Sequence, residues 1–424
     1  MIRIENVLDI KGVQQTVTIK SNEDIIIDGQ GLTFLPGLTD PHVHFRTPGA
    51  EYKENWETGA AAAIAGGVTR VFDMPNTSPV TTTVQRLAEK KAIINGQLDK
   101  VGIPLRYGLY FGGDRNQMAQ IPLAKGQVVG IKVFMGASTG DLLVDDDESL
   151  DKIFKIAAEA DMIVGVHAED ECTLKKYSET YKDVTTPSVH SKIRDRSAAE
   201  KSVSKAIVLS GKYGTRLYVL HISTKEEVSL IRDAKKRGLR VFTETTPHHL
   251  FHTEYQYKEQ GTKVQMNPPL RKEEDVQALW EGILDGTVDA IGTDHAPHTL
   301  EEKTLPYRQA PSGVPGLETL LPLFLDAYSK KRITLEQIVA ITRTNIDKLF
   351  SLESNDDIVL VDLNLTKEVE AKNLKTKCAW SPFAGMQLKG WPVYTVVKGR
   401  VFRVDTEGSK VQEILGREIV GGIA

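Results

Sequence analysis

The chain has 424 residues, a formal net charge of −4 and 40% hydrophobic residues. That length allows one large α/β domain with material for a second, smaller one. The near-neutral charge argues against nucleic acid or a membrane surface as the main partner. The first ten residues, with Arg3, Glu5 and Asp9, lack the apolar core of a signal peptide. Two distant cysteines, Cys172 and Cys378, exclude a disulfide framework, so a cytoplasmic location is expected.

The two ends of the chain have a similar pattern. Residues 1–35 contain short alternating runs such as TVTIK and DIIID, without a helical segment. Residues 356–424 contain runs of the same kind, such as DDIVLVDLN and YTVVKGRVF. Such alternation predicts antiparallel strands with one face toward solvent. The simplest assembly pairs both ends in a small β-sandwich domain beside the main domain.

Residues 36–355 alternate between short β-branched runs and amphipathic or alanine-rich segments. Strands that alternate with helices predict parallel βα units, and eight of them predict an α/β fold of the TIM-like (β/α)8 barrel type. A doubly wound open sheet is the alternative, but no glycine-rich dinucleotide loop follows the first run. The eight runs cover residues 36–45, 68–76, 105–113, 128–135, 162–169, 216–223, 239–249 and 288–298.

Several runs end in residues that can bind a metal, at the barrel end where active sites lie. His42 and His44 share one strand face, and as a pair they suit either a metal or a satisfied core. His167 and His221 would each, taken alone, be typical core histidines. Asp294 lies in the last run, after its apolar part, where a buried carboxylate requires a cation. The convergence of all five on one barrel mouth predicts a metal site.

Lys132, in the run GIKVFM, shares a strand face with Phe134. Burial in a barrel would lower the pKa of its amine. A neutral amine can react with carbon dioxide to give a carbamate, which is an anionic oxygen ligand able to bridge two metals. A lysine that binds phosphate or pairs with a carboxylate is the alternative, and the residues alone leave the choice open.

The whole chain resembles the amidohydrolase superfamily and, within it, the dihydroorotase family. The resemblance implies reversible cyclisation of N-carbamoyl-L-aspartate to L-dihydroorotate plus water, in de novo pyrimidine (UMP) biosynthesis. The alternatives are another cyclic-amide hydrolase (a hydantoinase or allantoinase) or a non-catalytic homologue that serves as a structural partner. The motifs that carry the resemblance are HVHFRTPG, DMPNTSP, GIKVFMG, VQMNPPLR, GTDHAPHTLEEK and SGVPGLET.

The resemblance implies two Zn²⁺ ions per subunit, bridged by carboxylated Lys132 and a hydroxide. The hydroxide would attack the ring amide carbonyl, with Asp294 as general base and then general acid. Arg46, Asn76 and His298 would hold the substrate carboxylate. The implied metal ligands are His42, His44, Lys132, His167, His221 and Asp294, and the implied substrate contacts are His44, Arg46, Asn76, Asn267, His298, Ser312 and Gly313.

Two departures from the family pattern bear on this reading. Thr47 stands where the family motif HFREPG has glutamate, and strand alternation predicts that it points away from the metals. Asp141, in an acidic loop after the fourth run, is a rival bridging residue. Residues 300–316 are expected to act as a lid. A homodimer is left open, and three further histidines are assigned to structure, namely His248, His249 and His252.

Overall fold

The computed structural model describes residues 1–137, 142–404, 411–415 and 419–420. Two sheets organise the described chain, one of eight strands and one of nine. In chain order the strands are β1 Ile2–Leu8, β2 Gln14–Ile19, β3 Ile25–Asp28, β4 Thr33–Pro36, β5 Leu38–Val43, β6 Val68–Asp73, β7 Arg106–Gly112, β8 Gly130–Phe134, β9 Val164–His167, β10 Leu217–Val219, β11 Val241–Thr245, β12 Ala290–Ile291, β13 Ile358–Glu368, β14 Gln387–Val397, β15 Arg400–Val404, β16 Val411–Ile414 and β17 Ile419–Val420.

The helices lie mainly between the strands of the eight-stranded sheet. A π-helical turn, Ala340–Thr344, precedes the last one. The α-helices are α1 Trp56–Ala65, α2 Val84–Val101, α3 Asp147–Glu159, α4 Glu171–Thr180, α5 His190–Ile193, α6 Arg196–Tyr213, α7 Lys225–Lys236, α8 Pro247–Phe251, α9 Gln256–Gln260, α10 Glu273–Leu284, α11 Leu300–Lys303, α12 Leu320–Ser329, α13 Leu335–Val339 and α14 Asn345–Leu349.

Strands β5 to β12 pair in chain order, all parallel, and form the predicted barrel. A bridge between Val43 and His295 links the first strand to the end of the last, and the His44 amide donates to the His295 carbonyl at 2.8 Å. Each strand lies within its predicted run. Every residue of β5 and β6 is buried, as expected for strands covered on both faces. The predicted (β/α)8 barrel is confirmed.

Local sequence signals explain where the outer helices begin and end. Thr83 caps α2 by accepting a hydrogen bond from the Arg86 amide, and Gly102 ends the helix in a left-handed conformation. Thr224 and Glu227 form a reciprocal capping box at the start of α7. These helices bury their apolar sides against the strands, so the large core lies between the barrel and its helical layer.

The nine-stranded sheet combines both ends of the chain, as predicted. Strands β13 and β14 are antiparallel, and so are β4 and β13. The expected uniformly antiparallel pairing holds only in part, because β1 pairs in parallel with β3 and β4, and β3 with β17. The β1–β2 hairpin explains the first exception, since β3 returns on the other side of β1. This sheet has its own hydrophobic core, which includes Ile4, Ile27, Leu360 and Val396.

The barrel and the terminal sheet join directly. Strand β4 ends at Pro36, and the first barrel strand begins at Leu38. The Thr395 hydroxyl on β14 donates to the carbonyl of Ile64 in α1, at 2.8 Å. The proposed limits of a β-domain (1–35 and 356–424) and a barrel (36–355) stay a prediction. Among the described residues, no helix is long and apolar enough to cross a membrane.

Candidate active site

A cavity lies at the carboxyl ends of the barrel strands. It brings together residues from almost the full length of the barrel, which the sequence separates by more than 270 positions. Of the twelve predicted site residues, only His298 is not in its wall. The wall consists of His42, His44, Arg46, Asn76, Lys132, Phe134, His167, His221, Asn267, Asp294, Ala296, Ser312 and Gly313.

His42, His44 and Asp294 form the first half of the site. The Asp294 Oδ1 atom lies 3.3 Å from His42 Nε2 and 3.0 Å from His44 Nε2. Single ligand atoms of all three residues lie within 4.8 Å of one another. Burial alone would raise the pKa of Asp294, but the neighbouring His42 and His44 hold it well below its ordinary value. The residue is therefore a carboxylate that faces two imidazoles.

A second carboxylate orients the first imidazole from behind. The His42 Nδ1–H group donates to Glu244 Oε1 at 2.5 Å, and Glu244 Oε2 accepts from the Tyr218 hydroxyl at 2.7 Å. This arrangement leaves the His42 Nε2 lone pair directed at the cavity. Gly292 provides the space, because a Cβ atom there would lie 2.5 Å from Glu244 Oε2. On the other imidazole, His44 Nδ1–H donates to Asn76 Oδ1 at 2.9 Å.

His167 and His221 form the second half of the site. The Nε2 atom of His167 lies 2.9 Å from Glu169 Oε2, and its Nδ1 atom lies 3.0 Å from His221 Nε2. Arg194 forms an ion pair with Glu169. Burial lowers the pKa of both histidines, most strongly that of His221, where His167 and Lys132 add to the effect. Both imidazoles are therefore neutral, and His167 Nδ1 and His221 Nε2 face each other across this half of the site.

Lys132 lies between the two halves. Its side chain is buried, and Nζ lies 4.6 Å from the centre of the Phe134 ring. Burial lowers the pKa of Lys132 to about 7, against the opposing charges of Asp294 and Glu244. A large share of the amine is therefore neutral at physiological pH, which is the form that carbon dioxide can carboxylate. Asp141, the rival bridging residue, lies outside the described residues.

The donor set fits a divalent metal ion. Neutral imidazole nitrogens and a carboxylate are ligands that zinc prefers. Outer carboxylates, Glu244 and Glu169, hold His42 and His167 in fixed orientations, as they commonly do for metal-binding histidines. The buried Nδ1 atom of His221 has no hydrogen-bond partner among the described residues. The first half, with two imidazoles and Asp294, is by itself a set able to hold a metal.

Backbone strain is concentrated at the same points. Arg46, His221 and Asp294 have φ values of 59°, 38° and 47°, in the left-handed region that non-glycine residues rarely adopt. Each follows a barrel strand and turns its side chain into or beside the cavity. Strained conformations of this kind cluster at functional sites because the surrounding structure enforces them.

Arg46 supplies a buried positive charge to the cavity wall. Its Nε–H group donates to the Pro297 carbonyl at 3.1 Å, and Nη2 lies 3.1 Å from His298 Nε2. Within the described chain, no carboxylate lies at ion-pair distance from this guanidinium. A buried cation without a counter-ion is costly, so the site is suited to an anionic ligand.

His298 lies behind Arg46 and not on the cavity surface. Lys53 Nζ donates to its Nδ1 atom at 2.9 Å, and its Nε2–H group donates to the Ser312 carbonyl at 3.1 Å. Burial and the charges of Arg46 and Lys53 lower the pKa of His298 well below its ordinary value. The imidazole is therefore neutral; it bonds the loop that carries Ser312 and lies against Arg46.

Asn267, Ser312 and Gly313 complete the cavity wall. His190 Nε2–H donates to Asn267 Oδ1 at 3.0 Å and so fixes the amide orientation. The Gly313 amide donates to the Gln265 carbonyl at 2.9 Å and is therefore already engaged. A Cβ atom at Gly313 would lie 2.5 Å from the Ala296 carbonyl oxygen, so only glycine fits here.

The remaining predicted residues lie outside the cavity wall. The buried Thr47 hydroxyl donates to the Phe45 carbonyl at 3.2 Å, away from the metal-binding set. Within 300–316, Lys303 Nζ donates to the carbonyls of Gln265 (2.8 Å) and Pro311 (2.9 Å), and the lid role of this segment stays a prediction. The three histidines assigned to structure are buried and absent from the cavity wall, namely His248, His249 and His252.

The supporting residues were missed by the sequence reasoning. Glu244 is the one charged residue of its barrel strand, VFTET, and that signal could have identified it. Glu169 follows His167 by two positions and so shares its side of the chain, a weaker signal. Lys53, His190 and Arg194 carry no local pattern, since their partners lie far along the chain.

Comparisons with known proteins place the chain in a family. The Amidohydrolase family profile matches residues 33–402. A dihydroorotase from Methanosarcina acetivorans is 36% identical over 414 residues, which cover 90% of this chain and 84% of the relative. A dihydroorotase from Bacillus cereus (strain B4264) is 36% identical over 413 residues, which cover 92% of this chain and 91% of the relative. The chain therefore belongs to the amidohydrolase family, and within that family it groups with the dihydroorotases.

Solved structures with the same architecture include cyclic-amide hydrolases. The L-hydantoinase (dihydropyrimidinase) from Arthrobacter aurescens has a TM-score of 0.88 and 28% identity, over 99% of each chain. The dihydropyrimidinase from Brevibacillus agri NCHU1002 has a TM-score of 0.84 and 26% identity, over 98% of this chain and 97% of the other. These similarities agree with the observed barrel and terminal sheet.

Proposed function

We propose that this protein is a dihydroorotase, which interconverts N-carbamoyl-L-aspartate and L-dihydroorotate plus water. The buried Arg46 guanidinium beside the metal-binding set carries this proposal. A ring carboxylate distinguishes dihydroorotate from hydantoin and allantoin, and a planar guanidinium can bind a carboxylate through two hydrogen bonds. The identity to dihydroorotases, higher than that to the hydantoinase structures, supports the same choice.

The metal is the second part of the proposal. His42, His44 and Asp294 would hold one Zn²⁺ ion and His167 with His221 a second, with carboxylated Lys132 between them. When bound, such ions lower the pKa of a water molecule and polarise an amide carbonyl. The neutral imidazoles and the lowered pKa of Lys132 support this assignment. Zinc analysis of protein purified without chelators would test the number of ions.

The side chains of the site would divide the reaction between them. In the hydrolytic direction a water oxygen adds to the ring carbonyl carbon and the carbon–nitrogen bond breaks. Asp294 would take the proton from that water and return it to the departing ring nitrogen. Arg46, Asn76 and His298 would fix the carboxylate. Asn267 and the backbone near Ser312 and Gly313 would contact the amide edges of the ring. The reverse sequence closes the ring and releases water.

A substrate comparison tests the proposal. We expect turnover of L-dihydroorotate and N-carbamoyl-L-aspartate, with far lower kcat/KM for hydantoin and allantoin. Arg46→Lys should raise KM for L-dihydroorotate about tenfold or more, because an ammonium cannot replace the two-pronged contact. Higher activity on hydantoin than on dihydroorotate would assign the protein to the hydantoinases. Absence of turnover with all four compounds and full zinc content would favour a non-catalytic homologue.

The cellular setting follows from this activity as part of the same proposal. A dihydroorotase would act in pyrimidine biosynthesis on small soluble acids, and we place it in the cytoplasm. A homodimer remains open as its assembly. Sedimentation of the purified protein would determine the oligomeric state, and fractionation of cells that express a tagged chain would test the location.

A further inference from the structure

A second, wider cavity shares Arg46 and Asn76 with the wall of the first. We name it the vestibule. Three of its lining side chains are cationic, and no aspartate or glutamate is part of its described wall. It is lined by Arg46, Pro48, Gly49, Ala50, Lys53, Asn76, Thr77, Ser78, Pro79, Val80, Arg86 and His298.

The three cations are not equivalent. Lys53 is neutralised locally, since its Nζ atom lies 2.9 Å from Glu302 Oε1. Arg46 stands at the inner end, where the proposed substrate carboxylate would bind. Arg86 stands at the rim, where its Nη1 group donates to the Val80 carbonyl at 3.3 Å and is 3.4 Å from the Thr82 hydroxyl. The net positive charge of the vestibule therefore rests on an inner and an outer arginine.

The location of Arg86 in its helix is electrostatically unfavourable. It lies in the first turn of α2, an 18-residue helix whose first turn contains no acidic residue. The partial positive charge of a helix N-terminus disfavours a cation there. The first turns of α3 and α7 each contain two acidic residues, whereas that of α6, like that of α2, contains none. The partial positive charge of this helix terminus therefore adds to the charge of Arg86 at the vestibule wall.

We propose that the vestibule is the entrance for anionic substrate and that Arg86 is a specificity-determining residue at its rim. This inference rests on the proposed function, whose two substrates differ in charge. At neutral pH the open-chain acid carries two carboxylates and the ring form one. A positive rim attracts the dianion about twice as strongly as the monoanion, since Coulomb energy is proportional to charge. Arg86 thus favours capture of N-carbamoyl-L-aspartate, the substrate of ring closure.

Steady-state kinetics of Arg86→Gln in both directions tests the inference. At low ionic strength we expect kcat/KM to fall about fourfold for N-carbamoyl-L-aspartate and about twofold for L-dihydroorotate, with kcat unchanged. Both falls in kcat/KM should disappear at about 0.5 M salt, where the solution screens charges that are more than a few ångströms apart. Arg86→Lys keeps the charge and should retain the parent values. Arg232→Gln removes a charge from α7, away from the vestibule, and should have no effect.

The outcomes separate this inference from the proposed function. Three results would show that Arg86 acts through packing and would overturn the inference. They are an equal fall in kcat/KM for both substrates, a lower kcat, or a fall in kcat/KM that persists at high salt. Parent-like kinetics of Arg86→Gln would overturn it as well. In those cases the parent still turns over both substrates, and the proposed function stands. A parent protein with no turnover of either acid would overturn both.

Discussion

The two halves of the site differ in how their charges are compensated. In the half with His42 and His44, two buried carboxylates, Asp294 and Glu244, are bonded to imidazoles and to a tyrosine hydroxyl. In the half with His167 and His221, the single carboxylate, Glu169, is neutralised by Arg194. The first half therefore carries excess negative charge, which attracts a metal cation, whereas the second half is closer to neutral.

Because of this difference in charge, we expect the two halves to have different roles in the reaction. The first half contains Asp294, which we assign to proton transfer, and it lies next to Arg46. The second half offers mainly neutral nitrogen donors, held in place by an ion pair that also supports the fold. Lys132, between the halves, would bring the missing negative charge to the second half if it were carboxylated. Variants that act on one half at a time can break or sharpen this comparison.

Asp294→Asn should have the largest effect. The amide removes the proton acceptor and one negative charge from the first half, so kcat should fall by about 10⁴-fold. Zinc content should fall by no more than one ion per subunit, because the second half keeps its own donors. The exposed Asp285→Asn serves as the control. Retention of more than a tenth of parent activity would exclude Asp294 from proton transfer.

Lys132→Ala should come next, with activity lowered by about 10³-fold. We expect zinc to be lost from the second half first, since that half depends on the carbamate for its charge. Metal analysis of the variant would measure the loss of zinc. Mass measurement of the intact parent protein would detect the carbamate. Asp141→Asn is the matched control and should retain metal. The opposite pattern, with zinc lost in Asp141→Asn and retained in Lys132→Ala, would identify Asp141 as the bridge.

The sequence predicted the barrel and the metal-binding set because both depend on local patterns. Each barrel strand lies in a short run rich in buried apolar residues, and each proposed ligand lies within such a strand or just after it. The parallel pairing of β1 with β3 was not predicted, because the partner of a strand depends on how the connection returns. A pattern of apolar residues identifies a strand, but it does not specify which other strands pair with it.

The supporting contacts could not be predicted for a related reason. His42 and Glu244 are 202 residues apart, and closure of the barrel brings them together. The predicted contact of His298 with the substrate stays a prediction, and the contacts that hold its ring, from Lys53 and to the Ser312 carbonyl, were not predicted. Such contacts depend on side-chain directions in the assembled fold. Glu244 in the first half and Glu169 with Arg194 in the second half are contacts of this kind, and they distinguish the two halves.

Glu169→Gln should act mainly on stability. The change leaves buried Arg194 without its counter-ion, so the free energy of unfolding should fall by about 3 kcal/mol. Burial raises the pKa of Glu169, but Arg194 and His167 outweigh it and bring the pKa below its ordinary value. The stabilisation is therefore complete above about pH 4.5 and is lost as the pH falls further.

Denaturant unfolding of the metal-free proteins at several pH values would measure this effect. The difference between parent and Glu169→Gln should be constant near neutrality and should narrow on acidification below about pH 4.5. Glu159→Gln, at the exposed end of α3, is the control. A difference that widens in acid would contradict the assignment of Glu169 as an ionised partner of Arg194.

Glu244→Gln should have the smallest effect, and it should fall on metal binding. Glutamine can still accept the hydrogen bond from His42, but the negative charge and the added basicity of the imidazole are lost. Zinc affinity, measured by chelator competition, should fall about 10- to 100-fold. Tyr218→Phe removes the other hydrogen bond to Glu244 while keeping the charge, and should bind zinc nearly as the parent does. Parent-like affinity in Glu244→Gln would mean that charge does not distinguish the halves, and that Asp294 alone sets the preference of the first half for metal.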